Sequence, residues 1–380
     1  MLEAPTNVSR TWVEIDLGAL ERNVGRVRAA LPPWVAYISV VKADAYGHGQ
    51  NPLAAHLMQG GADAFAVATL EEAIALRELG AGWPILMLSP IAPFEDALLL
   101  EHDLVATLSS PDEAQRWSAL GRSTGKPVRV HLKVDTGMGR LGVWHEERQT
   151  LRALAQTPGL RIEGAYTHFA SADQDHAFAA TQRARFLAAW AETGLSAKGR
   201  VIHADNSAGL DTFAAEGPFN AVRVGLRQFG LGTVPGSVLA RVALDPVLSW
   251  HARLALVKRL PAGTGISYGQ THRLARDSRV GVLPVGYGDG LPVAASNQGA
   301  YVLVGGIPCP VLGRITMDQT IIDVTNAPEA QPGSTATLIG HQGQARLTVD
   351  EWSQWANTIP WSIYCGISRR VSRWYRRNRQ

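Results

Sequence analysis

From Trp34 to about Gly232 the chain alternates short apolar runs, rich in β-branched residues, with longer stretches of helical periodicity. The runs are Ala36–Val41, Ala64–Ala68, Ile85–Leu88, Leu104–Leu108, Val128–Val134, Ile162–Tyr166, Val201–Ala204 and Ala221–Val224. Continuous apolar runs of this length read as strands buried on both faces. Eight of them, separated by helical stretches, predict a (β/α)8 barrel. Two of the helices carry explicit start signals. Thr69 and Glu72 form a capping box ahead of Leu70–Leu79, which Gly80 ends. Ser110 and Glu113 repeat the device, with Pro111 in the first helical position. An open doubly wound sheet would be expected to carry a glycine-rich phosphate fingerprint after its first strand, and none is found.

Near Leu244 the rhythm changes to strands and tight turns. Leu248–Leu260, Arg279–Val285, Tyr301–Val304, Val311–Val324 and Ala336–Ile339 read as strands, with Gly305-Gly306 as a hairpin turn. One helix is expected near Val349–Ala356, then a final strand near Ile359–Val371. The organisation predicted is a barrel over 1–243 and a mostly-β domain over 244–380. The opening residues, to about Ile15, are candidates to pack with the β domain.

Composition narrows the class. The 380 residues are 46% hydrophobic and 18% charged with a formal net charge of +3, which suits a soluble protein and gives no reason to expect a nucleic-acid partner. The arginine-rich end, Arg369 to Arg379, reads as a solvated terminus. No apolar stretch reaches the ~20 residues needed to span a bilayer, and no secretory leader is recognised at Met1–Asn7. Two cysteines, Cys309 and Cys365, provide neither a disulfide framework nor a metal cluster. A cytoplasmic protein without a metal is expected.

The chemistry of a barrel gathers beyond the C-terminal ends of its strands. Those positions hold Lys42 and Tyr46 after the first run, Lys133, Asp135 and Arg140 at the fifth, and His168 after the sixth. His203, Asn206 and Ser207 follow the seventh, and Arg223 and Gly225 the eighth. Lysine occurs only at 42, 126, 133, 198 and 258, so two of five lie in this ring. Any one of these is readily an ordinary strand-end polar residue; their convergence is not explained by packing. Lys42 ends a buried strand, where lost hydration favours the neutral amine that a Schiff base requires. Tyr46, Ser207 and Gly225 suit an anion, through a phenol, a hydroxyl and close backbone approach. A nucleophilic lysine beside a phosphate cradle fits pyridoxal phosphate (PLP), and equally an aldolase acting on a sugar phosphate.

Ordered motifs separate these readings. They are Val-Lys-Ala-Asp-Ala-Tyr-Gly-His-Gly at 41–49, Lys-Val-Asp-Thr-Gly-Met-Gly-Arg-Leu-Gly at 133–142 and Thr-His-Phe-Ala at 167–170. Asn206-Ser207, Arg223 with Gly225, Ser-Tyr-Gly at 267–269, Gly-Tyr-Gly-Asp-Gly at 286–290 and Met317-Asp318 follow. In this order, over nearly the whole chain, they resemble the alanine racemase family, a PLP-binding barrel joined to a C-terminal β domain. The resemblance implies a homodimeric amino-acid racemase with shared active sites, interconverting L- and D-alanine for cell-wall precursors. It implies Lys42 as the PLP lysine and one base, and Tyr268 of the partner subunit as the other. Arg223 would meet the pyridine nitrogen, with His203 supporting it and His168 beside the cofactor. Tyr46, Ser207, Gly225 and Leu226 would hold the phosphate, and Arg140 and Met317 the substrate carboxylate. Tyr287 and Arg314 would line the access channel, and Lys133 matches a lysine often carbamylated in the family.

Four positions depart from the family pattern. Phe229 and Trp361 stand where tyrosine is usual, the second normally a phosphate ligand; Trp361 retains an indole N–H, and Tyr364 is an alternative donor. Val224 replaces a common proline and Val293 a common arginine of the access channel. The rival readings are a broader-range or serine racemase, a barrel decarboxylase and a non-catalytic PLP carrier. A decarboxylase of this fold usually places an acidic residue where Arg223 stands, and a carrier needs no β domain.

Overall fold

The computed structural model describes residues 9–212, 217–232 and 242–377, and the chain forms two compact units. One comprises Leu20–Ala45 and Gln50–Asp245; the other comprises the N-terminus to Ala19, Tyr46–Gly49 and Pro246 to the C-terminus.

The first unit is the barrel. Its parallel strands run around the sheet as Ile85–Met87, Ala64–Val67, Ala36–Val40, Ala221–Val224, Val201–His203, Leu160–Tyr166, Val128–Asp135 and Ala106–Leu108. A parallel bridge between Leu86 and Val105 nearly closes the ring. Seven of the eight strands differ from the sequence expectation by only one or two residues at an end, and Ala221–Val224 does not differ. Both predicted capping boxes form: the Thr69 and Ser110 hydroxyls accept from the amides of Glu72 and Glu113, and each glutamate carboxylate returns to its cap backbone. Gln228 stitches the first strand to the turn after the eighth. It accepts from the Ser39 hydroxyl at 2.8 Å and donates to the Val40 carbonyl at 3.0 Å. It is fully buried, so both bonds are shielded from water.

The second unit is mostly β. Its main sheet is ordered Ile307–Pro310, Tyr301–Val304, Thr335–Gln342, Leu248–Arg253, Thr11–Asp16, Ser372–Arg376. A three-stranded sheet joins Leu256–Leu260, Ser278–Leu283 and Thr320–Asp323. The core holds the fully buried Trp250 and Trp352. Gly305 and Gly306 make the expected hairpin, both with positive φ, as a two-residue turn of this hand needs.

Three sequence expectations fail here. Leu248–Leu260 is two strands, broken at Leu254 and Ala255. Of Val311–Val324 only Thr320–Asp323 is a strand. Gly313 turns left-handed (φ +68°), and a β-carbon there would lie 2.8 Å from the Ile266 carbonyl oxygen, so the preceding stretch is a docked loop. Ile359–Val371 is not the last strand: Pro360–Gly366 is a helix with proline in its first position, and the strand is Ser372–Arg376, parallel to Thr11–Asp16.

Candidate active site

In the barrel, Lys42 lies two residues past the end of the first strand, Ala36–Val40, and is partly buried. Four successive residues, Ala43, Asp44, Ala45 and Tyr46, then take φ of 52°, 53°, 53° and 54°. This is a left-handed turn built without glycine, costing roughly 4–8 kcal/mol at ~1–2 kcal/mol per residue. Local bonds offset that cost. The Ala45 amide donates to the Val41 carbonyl at 2.8 Å, and the Ala43 amide to the Glu72 carboxylate at 2.6 Å. The Gln50 amide, at the start of the next helix, donates to Asp44 at 2.8 Å. Strain of this kind is held where geometry at a site has to be fixed.

Arg223, on the eighth strand, is 3% exposed. Its Nη1 donates to Nδ1 of His203 at 2.6 Å. Its Nη2 faces the Thr167 carbonyl (3.0 Å), the Ala204 carbonyl (2.8 Å) and Nδ1 of His168 (3.1 Å). Among the described residues nothing accepts from Nε, and no carboxylate pairs with this guanidinium. Burial lowers its pKa to about 10, so it stays charged at neutral pH.

A guanidinium is only a donor, so Arg223 fixes the tautomers around it. His203 must accept at Nδ1 and carry its hydrogen on Nε2, which lies 2.9 Å from Nδ1 of His131. His131 therefore accepts as well, and its hydrogen is on Nε2. His168 is fixed in the same sense. Burial, then the Arg223 charge, holds His203 and His168 well below the usual imidazole range. Burial, with Arg129 and Arg223, takes His131 down to about 3. Arg223 is thus a permanent cation among neutral imidazoles.

Tyr166 stacks on His203 with centroids 4.6 Å apart and planes 8° from parallel, and its hydroxyl lies 2.7 Å from that of Thr107. The Lys133 amine sits 4.4 Å from the centre of the Tyr166 ring. Lys133 is 6% exposed, and burial, then Arg223, holds its pKa well below that of a free lysine. Lys133 is thus more deeply buried than Lys42. Asp135, two residues on, accepts from the amides of Gly137, Met138 and Gly139 and so folds the loop that carries the exposed Arg140. Ser207 accepts from the Gly225 amide at 2.9 Å, which leaves its own O–H to donate elsewhere. Leu226 follows Gly225 at the start of a short 3-10 turn.

The second unit gathers its own candidates. Ser267, with φ of 60°, precedes Tyr268, and its hydroxyl donates to the Arg314 carbonyl at 2.6 Å. The Tyr287 amide donates to Thr316 and the Gly288 amide to Met317. Tyr268 is 71% exposed; Tyr287, Met317, Arg314 and Val293 are exposed too. Tyr46 is partly buried, and burial raises its phenol pKa. Trp361 is half-buried on the Pro360–Gly366 helix, whereas Tyr364 is 2% exposed and packs edge-on against His48.

His131 and Gln228 escape a reading of strand ends alone, and Tyr166, the last residue of its strand, is absent from the sequence-based set. Period-2 alternation along Val128–Asp135 puts His131 on the same side as Lys133 and Asp135, which is a usable signal. Gln228 has none, since it lies in a turn and looks like surface.

Residues 15–232 match the family described as alanine racemase, N-terminal domain, and 247–375 the one described as alanine racemase, C-terminal domain. An alanine racemase of Halothermothrix orenii is 40% identical over 96% of this chain and 97% of its own. The crystal structure of an alanine racemase from E. faecalis superposes with a TM-score of 0.89 at 36% identity, covering 97% of this chain and 98% of that one. That of an alanine racemase from Bartonella henselae with covalently bound pyridoxal phosphate gives 0.86 at 26% identity over 97% and 99%. With both halves matched and relatives alike along their whole length, the chain belongs to the alanine racemase family.

Proposed function

We propose that the chain binds PLP through Lys42 and interconverts L- and D-alanine, using Lys42 and Tyr268 of the partner subunit as opposed bases. The observation that carries the reading is Arg223: a buried guanidinium with an uncommitted Nε–H, held by neutral histidines. That donor suits an unprotonated pyridine nitrogen, and the Ser207 hydroxyl, which accepts from the Gly225 amide and keeps its own O–H to donate, suits a phosphate. Tyr46 and Leu226 would complete the phosphate set, with Trp361 as a further donor, and His168 would lie beside the cofactor.

When bound, PLP supplies an electron sink next to the substrate nitrogen that acidifies the α-hydrogen. The protein decides the outcome. A carboxylate at the pyridine nitrogen would share a proton with it and deepen the sink; Arg223 has none to accept or give up. With Arg223 in that place the bound group would be a shallower sink, which would favour proton return at the α-carbon over side reactions. Arg140 and Met317 orient the substrate carboxylate. Burial holds the Lys133 amine well below the usual lysine range, which favours the unprotonated form that adds carbon dioxide; the carbamate, formed with release of one amine proton, would supply the negative charge that holds Arg140. Lys42 Nζ takes or returns the α-proton on one face. The phenol of the partner's Tyr268 does so on the other.

In one copy of the chain Tyr268, Tyr287, Val293 and Met317 are all exposed, apolar surface suited to burial against a second copy. Tyr287 and Arg314, held by the same loops, are then the access channel. A cytoplasmic setting fits a chain with only two cysteines, and no helix among the described residues is long and apolar enough to cross a membrane. The test is a chiral assay with PLP over an amino-acid panel including serine. D-alanine from L-alanine without carbon dioxide is expected. Carbon dioxide release, or no turnover of alanine, would overturn the reading.

A further inference from the structure

The left-handed turn after Lys42 is held in part from outside, by one side chain of the helix that follows the neighbouring barrel strand. Glu72 lies in the first turn of Leu70–Leu79, the helix that follows the second strand. One of its carboxylate oxygens, Oε1, accepts from the Ala43 amide at 2.6 Å. The other, Oε2, accepts from the amides of Ala68 at 2.9 Å and Thr69 at 3.2 Å. Its backbone carbonyl accepts from the Gln50 side chain at 2.8 Å. The two strands are paired in parallel, Val40 opposite Ala66, and the Val41 amide continues the ladder to the Ala66 carbonyl. A single carboxylate thus ties together the amides at which two adjacent strands end.

A capping box accounts for only half of this. Its glutamate returns to the backbone of its own cap, here Thr69. The Glu113 box of the helix Pro111–Thr124 shows what that alone looks like: its carboxylate meets Ser109 and Ser110 and, among the described residues, no amide of another strand. At Glu72 the same device has a free oxygen, and that oxygen takes the first amide of the strained turn. The bond also has the right chemistry. A charged acceptor on an N–H makes a shorter, stronger bond than a neutral one, and this amide follows directly on the residue whose position matters.

We propose that Glu72 is a positioning residue for Lys42, its carboxylate locking the left-handed turn that sets where the lysine leaves the barrel strand. It touches neither cofactor nor substrate and acts only through the Ala43 amide. The proposal rests on the reading of Lys42 as the PLP lysine, and its test keeps the two apart.

The variants are Glu72→Gln and Glu72→Asp, with Thr69→Ala as control. Glutamine keeps one acceptor oxygen but turns an NH2 toward the other amides, so it cannot serve both strands. Aspartate keeps the charge on a stem one carbon shorter, which does not span both. Thr69→Ala removes the cap hydroxyl, which accepts from the Glu72 amide, and leaves both carboxylate oxygens in place. Hydrogen exchange of the peptide spanning 41–47, measured on the cofactor-free protein, is the first readout. It is expected to speed at least tenfold in both Glu72 variants and to stay unchanged in Thr69→Ala. The second readout is PLP affinity together with borohydride labelling of Lys42. A tenfold or greater loss of affinity is expected in the Glu72 variants, with kcat falling and the KM for alanine held.

Equal effects in Thr69→Ala would reduce Glu72 to a helix cap and overturn the proposal. So would unchanged exchange, or faster exchange with unaltered PLP binding. If the wild-type label is recovered on a lysine other than Lys42, the failure lies with the reading of Lys42. The exchange data still judge the latch.

Discussion

His131 gives the sharpest test of the electrostatics. It is 5% exposed, accepts at Nδ1 from His203 and is held neutral down to about pH 3. In the unfolded chain its pKa returns to about 6.5. Below that pH the unfolded state binds a proton that the folded state refuses, so the stability this group confers is complete above pH 6.5 and is lost as pH falls toward 3. One unit below the unfolded pKa, at pH 5.5, the loss is about 1.4 kcal/mol, and it grows by about 1.4 kcal/mol per further pH unit. The perturbation is His131→Asn. Its side-chain oxygen falls near the position of Nδ1 and can still accept from His203, but it does not titrate. Urea unfolding of both proteins at pH 7.5, 5.5 and 4.5 is the assay. Whatever the substitution costs at pH 7.5, wild type should lose about 1.4 kcal/mol more than the variant by pH 5.5, and about 2.7 kcal/mol more by pH 4.5. Parallel pH profiles would mean that His131 protonates inside the fold, and the inferred chain of tautomers from Arg223 would be wrong.

Two further outcomes follow from the site. Arg223→Glu should lower racemisation and raise the ratio of transamination to racemisation, followed by chiral analysis and pyruvate formation; an unchanged ratio would make the arginine structural only. Trp361→Tyr should tighten PLP by up to the value of one hydrogen bond to a charged group, ~1.5–3 kcal/mol, measured by cofactor titration; unchanged or weaker binding would remove position 361 from the phosphate set.

The barrel was legible because its strands are short, apolar and separated by capped helices, signals that depend on nearby residues. Thr69 with Glu72 and Ser110 with Glu113 show how far such signals reach. The β unit was less legible. Val311–Gln319 is apolar enough for a strand, yet the approach of Gly313 to Ile266 makes it a loop, and that is a tertiary fact. Pro360 would have signalled a helix start, had the apolar run after it not read as a strand. At the site, residue types at strand ends pointed to Lys42, His168, His203 and Arg223. The left-handed turn was not legible, because Ala43, Asp44, Ala45 and Tyr46 contradict their own backbone preferences and are held by Glu72 and Asp44. Nor was the contrast between the two lysines, since desolvation depends on what packs around Lys133 in space.

The central claim is that two chains share one pair of bases, and subunit mixing tests it most directly. Lys42→Ala and Tyr268→Ala are each expected to be inactive as homodimers. Each mixed dimer would hold one site with an intact Lys42 from one chain and an intact Tyr268 from the other. Activity should therefore reappear when the two are mixed under conditions where subunit exchange is shown independently, by mass-labelled chains. The account predicts recovery approaching half the wild-type rate per mixed dimer. Exchange without any recovered activity would contradict it, and would return both bases to a single chain.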